Sequence, residues 1–169
     1  MEIVKVYRER LPRVKLAGRR FTDRDRDGSG TFAAWWKKAF EEKWFEPLMK
    51  CKGVPGVGPD CLGAMRSNGR DGGFEYWIGM FLAPDAEVPD GFETEEIAAG
   101  DLGVCWLRGE EKSGELFGRE ASDAAMAAMT GRGWAFAPGG WFLERYNCPR
   151  YTQPDEKGHV ILDICAYLV

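Results

Sequence analysis

The residues with the clearest capacity for chemistry lie near the C-terminal end, in residues 141–146. If this segment is a β-strand, its side chains alternate between two faces, so Phe142, Glu144 and Tyr146 share one face. A carboxylate between two aromatic rings can bind an organic cation. If burial raises its pKa, the same carboxylate can act as a general acid or base. The alternative is a solvated glutamate paired with Arg145 or Lys157.

Metal and thiol chemistry find little support in the sequence. The only histidine is His159, and no two cysteines form a C-x-x-C pair: Cys51, Cys61, Cys105, Cys148 and Cys165. Zinc sites and Cys/His nucleophilic pairs need closer or more numerous ligands than these. We therefore predict no metal and no cofactor.

One acidic loop resembles part of a calcium-binding loop. Asp23, Asp25, Asp27 and Gly28 match the early positions of an EF-hand, but its twelfth position is Ala34 instead of the bidentate glutamate. A solvated turn is the better interpretation, with arginines between the aspartates reducing their repulsion.

Composition narrows the class of protein. The chain has 169 residues, a formal net charge of −4, 44% hydrophobic residues and 30% charged residues, which is typical of one folded domain. Basic residues are interleaved with acidic ones, so we expect no direct nucleic-acid binding. No apolar run approaches the ~20 residues of a membrane span, and the N-terminus lacks a signal-peptide pattern. We therefore expect a cytoplasmic protein without membrane contact.

Periodicity and turn residues predict the order of elements. Helical spacing of apolar residues predicts helices over residues 31–49 and 116–130. Alternation predicts strands over residues 4–7, 13–18, 61–66, 74–82, 92–98, 101–107, 141–146 and 159–169.

This order predicts an α+β fold of two strand-helix-strand-strand repeats. The repeats would form one curved antiparallel sheet, with both helices on one face and a ligand groove between the repeats. We expect a single small-molecule-binding domain over residues 1–169. Its first repeat would span about residues 1–90 and its second about residues 91–169.

Three segments carry a resemblance to a known family: Phe74-Glu75-Tyr76-Trp77-Ile78-Gly79, Ile97-Ala98-Ala99-Gly100-Asp101-Leu102-Gly103-Val104, and Leu143-Glu144-Arg145-Tyr146. With the duplicated element order, they resemble the gyrase-inhibitor-like small-molecule-binding domain, which is also the effector-binding domain of multidrug-responsive transcription regulators. The resemblance spans nearly the whole chain. No helix-turn-helix segment precedes the first strand, so a regulator's role would require a partner protein.

The resemblance implies a ligand groove in which a glutamate meets cationic or polar groups and aromatic rings stack on the rest. By motif position the glutamate is Glu144, and the tyrosine of the first hairpin is Tyr76. The strand face of Tyr76 also has the pattern of a packed core. Trp106 would line the groove from the second repeat or pack under a helix.

The predicted function is stand-alone binding of an amphipathic, plausibly cationic small molecule by Glu144, Tyr76, Phe142, Tyr146 and Trp106. Some stand-alone members of the family hydrolyse cyclopropane-bearing natural products, so the resemblance also implies a hydrolase with Glu144 and Tyr76 as catalytic residues. We favour binding without turnover, because a groove alone does not confer chemistry. A protein-binding inhibitor module is a third interpretation, without a contact surface in the sequence. A partner protein or a homodimer stays open.

Overall fold

A computed structural model describes residues 1–169 as an α+β chain with eight strands and three α-helices. The strands are β1 (Glu2–Leu11), β2 (Val14–Thr22), β3 (Cys61–Arg66), β4 (Glu75–Leu82), β5 (Glu93–Ile97), β6 (Gly100–Glu110), β7 (Phe142–Tyr146) and β8 (His159–Tyr167). The helices are α1 (Ala33–Glu41), α2 (Phe45–Met49) and α3 (Arg119–Thr130). The strands pair in antiparallel fashion. The predicted fold class is confirmed.

The first of two compact units contains Met1–Leu11 and Gly100–Val169. Its strand order is β1-β6-β8-β7, and α3 packs against one face of these strands. The core on that face consists of apolar side chains from β6, β8 and α3: Cys105, Leu107, Leu162, Ile164, Ala121, Ala125 and Met129. Alternation along each strand therefore places one set of side chains beneath α3 and the other set on the far face.

The second unit contains Pro12–Ala99. Its strand order is β3-β4-β2-β5, and the helical segment packs against one face. The core on that face is rich in aromatic and aliphatic side chains: Phe21, Phe32, Trp44, Phe45, Leu48, Tyr76, Ile78 and Met80. The other face of β4 carries Glu75 and Trp77, which are also buried.

The predicted helix over residues 31–49 is wrong in one respect, because the structure divides it into α1 and α2. Lys43 has a φ of 56°, a left-handed conformation that ends a helix. The amide of Trp44 then donates to the carbonyl of Ala39 at 2.9 Å, which closes the turn. This break lets Trp44 and Phe45 both enter the core, at 3% and 5% exposure.

Pro12 separates two strands that have different partners. β1 pairs with β6, whereas β2 pairs with β4 and β5. The first strand of the chain thus belongs to the same unit as the last strands. The predicted domain organisation, with a repeat boundary near residue 90, stays a prediction.

None of the three helices combines the length and apolarity that a membrane span requires.

Candidate functional site

Glu144 lies on the face of β7 that α3 covers. It pairs across the strands with Ile164, which belongs to the core beneath α3. Phe142 and Tyr146 pack partly buried against the same core. Cross-strand partners share a face of a sheet, so the three predicted site residues of β7 lie together on the helix-covered face. All three side chains are half-buried.

A chain of polar and ring contacts extends from Glu144. The hydroxyl of Tyr146 donates to Oε2 of Glu144 at 3.3 Å. The Tyr146 ring meets the Tyr151 ring edge-on, with centroids 4.8 Å apart and planes at 85°. The hydroxyl of Tyr151 in turn donates to Oε1 of Glu111 at 3.2 Å. Sequence reasoning missed Tyr151 and Glu111, since Tyr151 lies in a turn and Glu111 begins a single short 3-10 helix.

Arg145 points away from Glu144, to the opposite face of β7. Its guanidinium donates to both carboxylate oxygens of Glu9, at 2.8 and 3.0 Å, and to Asp163 at 3.0 Å. With 11% of its side chain exposed, Arg145 is committed to these two carboxylates. The hydrogen bonds of Arg145 therefore lie on the face opposite Glu144, and the pairing of Glu144 with Arg145 or Lys157 stays a prediction.

Asp163 is fully buried on the same face as Arg145, and Arg150 provides its second cation at 2.6 Å. Burial raises the pKa of Asp163 above its usual value, against the opposing effects of Arg145 and Arg150. Burial lowers the pKa of Arg145, but nearby carboxylates, including Glu9 and Asp163, raise it above its usual range. We call Glu9, Arg145, Arg150 and Asp163 the Asp163 cluster.

Trp106 lies beside the Asp163 cluster, on the face of the sheet opposite Glu144. It pairs across the strands with Asp163, so it faces away from α3. The Tyr7 ring meets it edge-on at 5.8 Å, and the Arg150 guanidinium lies 4.2 Å from its ring centroid. The structure thus separates Trp106 from the three site residues of β7 by the thickness of the sheet.

Tyr76 lies in the core of the second unit and is 5% exposed. Its ring stacks on Phe32 with centroids 4.4 Å apart, and its hydroxyl accepts a hydrogen bond from Nε1 of Trp36 at 2.8 Å. Its packing is that of a core residue with a polar edge. A role for Tyr76 in ligand binding or catalysis stays a prediction.

The second unit has its own buried carboxylate on the face turned away from the helices. Glu75 is fully buried, and it accepts hydrogen bonds from Arg20 at 2.7 Å, Arg66 at 2.6 Å and the backbone amide of Arg70 at 3.2 Å. Burial raises the pKa of Glu75, but hydrogen bonds led by that from Arg20 lower it below its usual value. Arg66 also reaches Glu95 at 3.0 Å. We call Arg20, Arg66, Arg70, Glu75 and Glu95 the Glu75 cluster.

The acidic loop uses its carboxylates as caps. Asp27 accepts hydrogen bonds from the Thr31 amide at 2.9 Å, the Thr31 hydroxyl at 2.8 Å and the Ser29 amide at 3.0 Å. Hydrogen bonds, first from the Thr31 backbone, lower the pKa of Asp27 from 3.8 to about 2. Asp25 accepts from the backbone and hydroxyl of Thr22 at 2.7 and 2.9 Å.

No group of three or more histidine, cysteine, aspartate or glutamate side chains is arranged to hold a metal ion. A surface depression in the second unit contains none of the predicted site residues. It is lined by Pro47, Lys50, Cys51, Lys52, Asp85, Ala86, Glu87 and Pro89.

The sequence matches no protein-family model, and no curated protein matches it significantly. Solved structures, however, share its fold. SAV2435 bound to tetraphenylphosphonium is 14% identical, with a TM-score of 0.71 over 98% of this chain and 94% of that one. The EcmrR C-terminal domain is 10% identical, with a TM-score of 0.60 over 100% and 99%.

A third structure, EcmrR in a complex with DNA, is 13% identical, with a TM-score of 0.58. This chain is covered over 97% of its length but spans 57% of the EcmrR chain. At these identities the likeness concerns the fold alone. The shared fold is consistent with the fold that the resemblance to the gyrase-inhibitor-like domain implies.

Proposed function

We propose that this protein binds amphipathic organic cations at Glu144, with Phe142 and Tyr146 as aromatic neighbours of the cation. The observation that carries the proposal is the grouping of the half-buried Glu144 with the rings of Phe142 and Tyr146 on one face of β7. Arg145, the next residue in sequence, directs its hydrogen bonds to Glu9 and Asp163 on the opposite face. A half-buried carboxylate beside aromatic rings then attracts a cation more strongly than a solvated one does.

The magnitudes are sufficient for useful affinity. A cation about 4 Å from the carboxylate gains roughly 4 kcal/mol at an effective dielectric of about 20, before desolvation is subtracted. An aromatic face adds about 0.5–2 kcal/mol. Apolar burial of the remaining ligand surface would bring the total near −8 kcal/mol, which corresponds to a micromolar Kd.

The tetraphenylphosphonium bound to SAV2435 supports this ligand class, because it joins one positive charge to four aromatic rings. The likeness in fold makes a ligand of the same class the first choice for this chain. Trp106 lies on the face opposite Glu144 and is not part of this proposal, and a role for Tyr76 in ligand binding stays a prediction from the sequence.

The test compares a cation with a neutral molecule of similar shape. Quenching of tryptophan fluorescence by tetraphenylphosphonium and by triphenylphosphine oxide would give both affinities. Glu144→Gln should weaken the cation about tenfold or more, as expected for a lost ionic contact of over 1.4 kcal/mol, and the neutral compound little. Glu156→Gln, at an exposed loop position, is the matched control and should change neither. Equal losses for both ligands in Glu144→Gln would contradict the charge role.

A second candidate function is hydrolysis of a strained, electrophilic ring such as a cyclopropane. The 3.3 Å contact between the Tyr146 hydroxyl and Glu144 favours it, because a carboxylate and a phenol in contact can share acid and base roles. We still expect binding without turnover for most ligands. Product formed by the wild type between about pH 5 and 7, and lost in Glu144→Gln, would establish the enzyme instead.

A further inference from the structure

We propose that Tyr151 and Glu111 are a second, specificity-determining part of the Glu144 site, which makes it select ligands with two positive groups over ligands with one. This inference rests on the proposed function, and it adds a ligand class that the resemblance does not imply. Its basis is the row Glu144, Tyr146, Tyr151 and Glu111, in which two carboxylates stand at the two ends of a tyrosine pair.

The contacts along this row are continuous. Each carboxylate accepts a hydroxyl, Glu144 from Tyr146 at 3.3 Å and Glu111 from Tyr151 at 3.2 Å. The two rings touch edge-on at 4.8 Å. Because the tyrosines meet each other while their hydroxyls meet the acids, the aromatic surface lies between two negative charges. A ligand with an apolar middle and two positive ends matches that order of groups.

Both carboxylates act on the same hydroxyl. Burial raises the pKa of Tyr151 well above its usual value, and the charges of Glu111 and Glu144 raise it further. A single cation can pair with only one of these two carboxylates, whereas a dication can pair with both.

Glu111 keeps its charge available. It lies in the short turn Glu111–Ser113 that joins β6 to α3, and it forms no ion pair with a lysine or arginine. Its contact with the neutral Tyr151 hydroxyl orients the carboxylate without cancelling its charge. No lysine or arginine of the chain thus competes with a ligand for this carboxylate.

The position of Tyr151 is fixed from behind by the Asp163 cluster. The neighbouring residue Arg150 sends its side chain to Asp163 at 2.6 Å, on the opposite face. The backbone is held as well, because the Ile161 amide donates to the Arg150 carbonyl at 2.9 Å and the Tyr151 amide to the Asn147 carbonyl at 2.8 Å. Tyr151 is therefore oriented before a ligand arrives, which lowers the entropic cost of binding.

The test uses two triphenylphosphonium probes with the same alkyl chain, one with a phosphonium at one end and one with a phosphonium at both ends. Fluorescence quenching and calorimetry would give both affinities. With the wild type, the bis-phosphonium should bind about tenfold tighter, more than the statistical factor of about two for two equivalent ends. Glu111→Gln should reduce this ratio to about two, since the lost contact serves the second charge.

Two matched variants locate the effect. Glu110→Gln removes the same charge from the adjacent exposed position and should preserve the tenfold ratio. Tyr151→Phe keeps the ring but releases Glu111, and should reduce the ratio about threefold. Unchanged thermal unfolding midpoints would show that the variants fold.

The outcomes separate this inference from the proposed function. If the wild type binds the mono-phosphonium through Glu144 but Glu111→Gln leaves the ratio at tenfold, the specificity role is wrong while the proposed function holds. A wild type with equal affinities for both probes also overturns it. If neither probe binds, the proposed function fails and this inference fails with it.

Discussion

In each of the two units an arginine joins a buried carboxylate to a second acidic residue. In the first unit, Arg145 on β7 joins the buried Asp163 on β8 to Glu9 on β1. In the second unit, Arg66 on β3 joins the buried Glu75 on β4 to Glu95 on β5. In both cases the arginine lies on one outer strand of its unit and the second acid on the other. Each four-stranded half must therefore coil until its outer strands come within reach of one side chain.

The clusters differ in the kind of donor that meets the central carboxylate, since each carboxylate accepts three hydrogen bonds. Glu75 receives two guanidinium groups and the backbone amide of Arg70, whereas Asp163 receives guanidinium groups only. Their pKa values accordingly move in opposite directions, downward for Glu75 and upward for Asp163. Burial is the largest influence on the pKa at both sites; hydrogen bonds and nearby cations outweigh it at Glu75 but not at Asp163. Two carboxylates that are both inaccessible to solvent can therefore have pKa shifts in opposite directions.

The largest expected effect comes from removing the bridging arginine in each cluster. Arg145→Met leaves Asp163 with Arg150 alone, so it should lower the free energy of unfolding by about 3–5 kcal/mol. Arg66→Met leaves Glu75 with Arg20 and the Arg70 amide, and should cost about 1–2 kcal/mol less. Urea unfolding of both variants measures the difference. Equal losses would show that the backbone donor of Arg70 does not distinguish the two clusters.

An intermediate effect concerns acid. Because the pKa of Glu75 is lowered in the folded protein, its stabilising contribution is present above its usual pKa of 4.5 and is lost as the pH falls through the folded value. For Asp163 the folded pKa is raised, so stability decreases as the pH rises from 3.8 through the folded value.

Stability curves of Glu75→Gln and Asp163→Asn, each subtracted from the wild type between pH 3 and 6, should consequently have opposite slopes. Thermal unfolding over this range provides the measurement. Slopes of the same sign would mean that the pKa values of both carboxylates shift in the same direction on folding, which would contradict the difference between the clusters.

The smallest effect tests whether donors alone, without arginine or burial, can stabilise a carboxylate. Asp27 is exposed, and amide and hydroxyl donors lower its pKa to about 2. Its contribution should be present above pH 3.8 and disappear as the pH falls towards 2. Asp27→Ala should lower Tm by about 2–4 °C at neutral pH, a loss typical of a local cap.

Calcium provides the control for this loop. The Asp27 oxygens already accept hydrogen bonds from the amide and the hydroxyl of Thr31. Millimolar calcium and a chelator should therefore give the same Tm, since a ligand of the folded state would raise it. An increase of several degrees would instead identify a calcium site formed by Asp23, Asp25 and Asp27.

The sequence predicted the strand positions and side-chain directions that depend on neighbouring residues. β3 occupies the predicted residues 61–66, and β7 begins one residue after its predicted start. Alternation and glycine-rich turns are local signals, and the structure has strands and turns near the positions that they predict. The grouping of Glu144 with Phe142 and Tyr146 was available for the same reason, because one strand fixes all three directions.

The sequence did not predict what depends on distant residues. Helical periodicity continues across Lys43, so the break between α1 and α2 had no signal. The partner of Arg145 is Glu9, 136 positions away, and no periodicity connects them. Tyr151 and Glu111 are separated by 40 positions and lie outside the long elements. Trp106 fits the alternating pattern of a strand, but it faces away from Glu144. The alternation predicts two faces of the strand and does not indicate which face α3 covers.

The bidentate contact between Arg145 and Glu9 also has a consequence for local opening. β1 is the first strand of the chain and an outer strand of its unit, where amide hydrogens usually exchange early as the end frays. Its contact with β7 couples the two outer strands, so the opening of one exposes charges held by the other. The amides of β1 and β7 should therefore exchange with solvent as one cooperative group.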